Sequence, residues 1–206
     1  VTHDNNGPQS GSATPLELLR TPPPKERADA ARNRAAVLEA AARLFTEHGV
    51  EAVSMDQVAA AAGVGKGTLF RRFGDKSGLA AALLDAREHV LQEAVLSGPP
   101  PLGPGAPADE RLAAFLDAYF DYLLEHLALV RMSETSAAGA RYRIGAYRFW
   151  HRHVAILLAT TSDPDPDHTA HALLAAVAAE HVAALLPELG EQRMRTGLLR
   201  LARSAM

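Results

Sequence analysis

The stretch SMDQVAAAAGVGKGTLFRRF, positions 54 to 73, restricts the fold of this chain more than any other. Ser54 followed three residues later by Gln57 is a capping box, which predicts a helix starting at Met55. Met55, Val58, Ala59 and Ala62 then share one helical face. Gly63-Val64-Gly65 stops that helix, because glycine takes the positive φ that a tight helix end requires. In a second short helix Leu69 and Phe73 share a face, while Lys66, Arg71 and Arg72 point elsewhere. Two short helices joined by a glycine turn, the second of them basic, spell helix-turn-helix, with the second sized for a DNA major groove.

Upstream, Val37, Leu38, Ala41, Leu44 and Phe45 form an apolar stripe that ends at Gly49, a C′ glycine. With these neighbours, the text from Ala31 to Leu83 resembles the amino-terminal DNA-binding domain of the TetR family of transcriptional regulators. The matching features are Ala41-Ala42-x-x-Phe45, Gly49, Ser54-Met55, Val58-Ala59, Ala62-Gly63-Val64, Gly67-Thr68-Leu69-Phe70, Phe73 and Lys76.

The chain has 206 residues, 48% of them hydrophobic, enough for one or two proper cores. It has no cysteine, which excludes disulfides and thiolate metal sites and suits a reducing cytoplasm. No apolar run approaches membrane-spanning length and the first residues are polar, so the expectation is a cytoplasmic protein with no membrane partner. A formal charge of −3 looks unfavourable for DNA, but local distribution decides. From Val64 to Lys76, Lys66, Arg71, Arg72 and Lys76 face a single acid, Asp75.

Residues 1–27, rich in Pro, Gly, Ser and Asn, read as a disordered or arm-like tail. Arg20, Lys25, Arg27, Arg32 and Arg34 make its end basic, which leaves contact with phosphate or minor groove open. The helix-turn-helix domain spans 28–74 and a connector helix 75–96, with Asp75 as cap and Gly78 where a Glu would complete a capping box. The Pro/Gly loop 97–108 excludes helix and central strand. Residues 109–206 read as helical throughout: a stripe from Leu112 to Leu127 capped by Asp109, a short segment over 127–138, and a helix over 142–160. Asp165-Pro166 start an Ala-rich helix running to Leu186, Pro187 to Gly190 break it, and a last helix carries Met194, Leu198, Leu201 and Ala202. No strand pattern appears, so the fold class is all-α: a three-helix DNA-binding domain plus a helical ligand-binding and dimerisation domain, about nine helices in all. The resemblance implies a homodimer through the last two helices (166–187 and 191–204). The Ala-rich helix, apolar nearly all round, suits close approach, although its surplus face can also pack within the protomer.

The resemblance also assigns roles in binding a double-stranded DNA operator. Ser54 would donate to a phosphate, and Gly65, Lys66, Gly67 and Thr68 occupy the start of the recognition helix, where the family's contacts cluster. Phe70 stands where the family usually has a phosphate-bonding Tyr, and loses that hydrogen bond. Arg71 and Arg72 replace an aromatic residue and a His. Arginine suits bidentate contact to guanine, with phosphate-only contact as the other reading. Lys76 would hold phosphate after the helix.

The family is regulated by small molecules bound in the body. Phe115, Tyr119, Tyr122, Met132, Tyr147, Trp150 and His151 are candidates to line an apolar ligand pocket, each with ordinary core as its other role. RYRIGAYRFWHRH (141–153) alternates arginines with apolar residues at helical spacing, so it reads as a solvated face opposite a buried stripe, with an anionic effector left open. For metal, His151 and His153 point about 160° apart around a helix, and His168 and His171 share a face without a third ligand at motif spacing. No metal site, cofactor or catalytic residue is therefore expected. GVGKGT lacks the Gly-x-x-x-x-Gly-Lys-Ser/Thr spacing of a P-loop and follows a helix, against a nucleotide-binding enzyme. A sequence-indifferent architectural DNA binder is the other rival to a ligand-responsive, dimeric repressor.

Overall fold

The computed structural model describes residues 25–161 and 163–206, with side chains from residue 29 onward. Of the tail expected over residues 1–27, residues 1–24, Arg20 included, lie outside the described residues, as do the side chains of Lys25 and Arg27. Among the described residues there are ten α-helices, one 3-10 turn and no strand. The head consists of α1 (Lys25–His48), α2 (Met55–Ala61) and α3 (Lys66–Phe73), and α4 (Lys76–Ser97) connects it to the body. The body holds α5 (Ala108–Glu125), α6 (Leu127–Thr135), the 3-10 turn (Arg141–Arg143), α7 (Gly145–Leu158), α8 (Pro166–Ala175), α9 (Ala179–Leu189) and α10 (Glu191–Ser204). Helix α1 begins inside the stretch read as a tail. Residues 25–27 belong to this helix, and just beyond them Arg32 pairs with Asp29 along it.

Two apolar clusters organise the chain. The head core gathers Val37, Ala41 and Phe45 from α1, Met55, Val58 and Ala59 from α2, Leu69 from α3 and Leu79 from α4. The body core is built on Leu112, Phe115, Leu116, Phe120 and Leu123 of α5, with Trp150, Val154 and Leu158 of α7 against them. Arg195 of α10 binds Asp117 and Asp121 of α5 and lies over the Phe120 ring, which ties the last helix to the body.

Local signals explain most boundaries. The Ser54 capping box forms in full, with Gln57 Oε1 accepting from the Ser54 amide at 2.7 Å. Asp165 caps α8 by accepting from the His168 amide, with Pro166 at the first helical position. Asp109, expected as a cap, instead lies in the first turn of α5 behind Pro107, and no side chain caps that helix. Pro187 does not break its helix either. Helix α9 continues to Leu189 and stops at Gly190, whose φ of 71° ends it. At Gly78 a Cβ would stand 2.0 Å from the Phe73 carbonyl oxygen. Glycine is required there because α4 turns back tightly on the end of α3, so the missing capping-box Glu has a steric reason.

The main departure from expectation is that the Ala-rich segment is two helices, α8 and α9, bent by 50° at Ala176–Ala178. The bend raises the count from nine to ten. The amides of Ala176, Val177 and Ala178 bond three residues back, which tightens and ends α8. No local residue caps either new end. Arg141, buried, donates to the Leu174 carbonyl at 2.8 Å, and Glu134 accepts from the Ala179 amide at 2.9 Å. The two side chains also form an ion pair with each other. Burial pushes the Glu134 carboxyl upward, while Arg141 and the Ala179 amide pull it down. Arg141→Met should destabilise the protein by about 3–5 kcal/mol in denaturant unfolding, since it strands a buried carboxylate. Adding Glu134→Leu should cost less than the sum of the two single changes.

His153 packs edge-on against Phe115, and its Nε2 has no hydrogen-bond partner. Burial, with Arg111 nearby, pushes its pKa down to about 4. Between pH 6.5 and 4 the unfolded chain takes up a proton that the folded chain resists, so stability falls with pH across that window. The thermal midpoint of His153→Leu should fall less than the parent's over the same range.

Candidate functional site

Helix α3 is anchored by one fully buried side chain, Leu69, with Phe73 partly buried beside it. Gly65, Lys66, Gly67, Phe70, Arg71 and Arg72 are exposed and Thr68 is half-buried. Phe70 is 45% exposed on the same outer surface. The ridge is thus a short helix with its outer surface free and its start made of small residues.

The expected DNA-contacting residues divide by what their side chains already hold. Arg71 has no partner among the described residues. Lys66 pairs with Asp56 of α2, but both are well exposed, so the pair is weak and exchangeable for phosphate. Ser54 accepts from the Gln57 amide and donates to Gln57 Oε1, so its hydroxyl is already engaged in the cap. Arg72 donates to the Ala30 carbonyl of α1, which links α3 to α1 through one of its five N–H donors. Lys76, expected at phosphate, is engaged within the head. Its ammonium donates to the carbonyls of Val50, Glu51 and Val53 at 2.8, 3.0 and 2.9 Å. A compact charge with three donors suits three converging carbonyls, and it closes the α1–α2 loop. Lys76→Met should therefore lower head stability by about 1–3 kcal/mol in thermal or denaturant unfolding, whereas Arg71→Ala leaves it unchanged.

In the body, Tyr119, Tyr122, Tyr147 and Trp150 line a cavity of about 20 Å³, room for one water. Leu84 and Glu88 of α4, Val130, Ser133 and Glu134 of α6, and Ile144 and Ala146 complete it. Sequence reasoning missed both acids, because nothing in their spacing marks them as inward. Tyr122 donates to Glu88 at 3.2 Å, and burial raises the Glu88 pKa. The other three candidates lie elsewhere. Phe115 is core, its ring between those of Tyr119 and Trp150. Met132 packs on the head core, and His151 turns toward α8. Along 141–153, Arg143, Arg148 and Arg152 are exposed as expected, with buried Arg141 the exception.

Residues 37–83 match the family model described as "Bacterial regulatory proteins, tetR family". The chain is 51% identical over 53 residues to an HTH-type transcriptional regulator of Staphylococcus aureus strain USA300, a match covering 26% of this chain and 29% of that protein. The shared segment is thus less than a third of the relative's length. Over most of the chain the fold is that of a TetR-family transcriptional regulator from Pectobacterium atrosepticum (TM-score 0.62, 22% identity, 86% of this chain and 94% of that one). It is also that of NalD, described as the secondary repressor of the MexAB-OprM multidrug efflux pump in Pseudomonas aeruginosa (TM-score 0.55, 20% identity, 85% and 96%).

Proposed function

We propose that this chain, a TetR-family transcriptional regulator, is a cytoplasmic, ligand-responsive dimeric repressor that binds a palindromic DNA operator and is released by a small-molecule effector. The observation that carries this reading is the α3 ridge: one buried anchor, an exposed Phe70, and Arg71 without a partner. Arg71 reads a base edge, with guanine the best match for its paired donors. Lys66, Gly65, Gly67, Thr68 and Phe70 lie against the groove and backbone. Ser54 reaches phosphate by exchanging its cap bond, and Arg72 braces the helix.

One such ridge reads one half-site, so the reading needs a second copy. The carboxy-terminal helices suit that pairing. Leu201 of α10 is half exposed, and Leu185, Leu186, Leu189 and Leu199 are incompletely covered within the protomer.

Helices α4 and α6 supply the link to an effector. Leu79 of α4 belongs to the head core and Leu84 and Leu91 to the body core. On α6, Leu129 packs against both cores, while Val130, Ser133 and Glu134 face the cavity. A cavity that holds one water admits an effector only if these helices part from α5 and α7. That movement carries the head with it and shifts the population away from the spacing the operator demands. No single described helix is long and apolar enough to cross a membrane.

Selection of bound sites from random duplex DNA should yield a two-fold symmetric site with half-sites about one helical turn, or a multiple, apart. Arg71→Ala should relax preference at one position per half-site, at a cost of about 1–3 kcal/mol there. Recovery of no preferred sequence would instead support an architectural DNA binder.

A further inference from the structure

We propose that His151, Asp167 and His171 form a binding site for a zinc-class divalent cation. The donors come from two packed helices, His151 from the middle of α7 and Asp167 and His171 from the first turns of α8. One ligand atom from each lies within 4.8 Å of the other two. A single ion with bonds of about 2.0–2.2 Å closes that spread by side-chain rotation alone. The two imidazole rings are now stacked, with centroids 3.8 Å apart and 27° between their planes. Binding turns the His151 ring out of the stack, while His171 keeps the Tyr147 hydroxyl on its Nδ1.

His171 is already oriented through its outer nitrogen, and His151 faces Asp167. The Tyr147 hydroxyl sits 2.6 Å from Nδ1 of His171, and Nε2 of His151 lies 3.0 Å from the Asp167 backbone carbonyl oxygen. Outer partners of this kind set the tautomer and direction of metal-binding histidines. Nε2 of His151 also stands 3.7 Å from the Asp167 carboxylate, so it is the nitrogen aimed into the cluster. Nε2 of His171 has no hydrogen-bond partner among the described residues, and with Tyr147 accepting from Nδ1–H it carries the lone pair.

The donor set identifies the cation. Two imidazoles and one carboxylate, in a chain without cysteine, suit Zn²⁺ and its neighbours Co²⁺ and Ni²⁺. Mg²⁺ and Ca²⁺ want oxygen shells that this group does not offer. Asp167 is exposed toward solvent, so water or an anion completes four-fold coordination. An ion here ties α7, whose Tyr147 and Trp150 wall the cavity, to α8, and gives the body an input separate from an organic effector. The site does not depend on the operator reading, so its test stands or falls without DNA.

The test titrates the untagged 206-residue chain, stripped of metal, with Zn²⁺ in a calorimeter, and with Co²⁺ to read the ligand field by absorbance. The expected result is one equivalent per protomer with the intense visible bands of four-coordinate Co²⁺. Asp167→Asn and His171→Gln should each weaken Zn²⁺ binding by roughly tenfold or more, and Tyr147→Phe, a positioning change, should weaken it by ~10-fold. Asp167 is largely exposed, so its variant should keep the metal-free melting temperature and separate ligand loss from misfolding. Unchanged Zn²⁺ affinity in Asp167→Asn and His171→Gln, or equal competition by Mg²⁺, would overturn the site.

Discussion

A buried carboxylate and guanidinium hold together the point where the body would otherwise come apart. Glu134 of α6 and Arg141 of the 3-10 turn pair inside the protein and also complete the broken backbone between α8 and α9. Arg141 accepts the role of a C-terminal cap for α8, and Glu134 that of an N-terminal cap for α9. Helix ends leave carbonyls and amides unpaired, and inside an apolar core water cannot satisfy them. Charged side chains from another part of the chain therefore decide that the Ala-rich segment bends rather than runs straight. Arg141 also lies over the Tyr147 ring, so the same pair helps fix the wall of the cavity.

The head uses a different economy of parts. Its outer helix, α3, is held by Leu69 inside, Arg72 on α1 and the tight reversal at Gly78. Lys76 gathers three carbonyls of the α1–α2 loop, so its ammonium is part of the scaffold. What remains exposed on this helix and its start is small in number: two glycines, Lys66, Phe70, Arg71 and the tethered Arg72. A rigid scaffold carrying few free side chains keeps those side chains in register with a groove, which is what base reading requires.

Head and cavity share walls. Leu129 touches both cores from α6, and α4 passes from one core into the other. Close-packed cores transmit displacement rather than absorb it, so in the proposed effector response a change in the small cavity would reach the head through these two helices.

The sequence by itself determined the elements whose causes are local. The Ser54–Gln57 box, the glycines at 49 and 63, the Asp165-Pro166 start and the apolar stripes of α1, α5 and α7 each act within a turn or two of chain, and periodicity displays them. The tertiary structure alone decided what depends on distant partners. The carbonyls that claim Lys76 and Arg72 lie more than twenty residues away, as do the helix ends satisfied by Glu134 and Arg141. Glu88 turns inward because Tyr122 meets it across two helices, and His151 meets His171 only because α7 packs on α8. Spacing along a chain records which face of a helix a residue occupies; which atom stands opposite that face is set by how the helices pack.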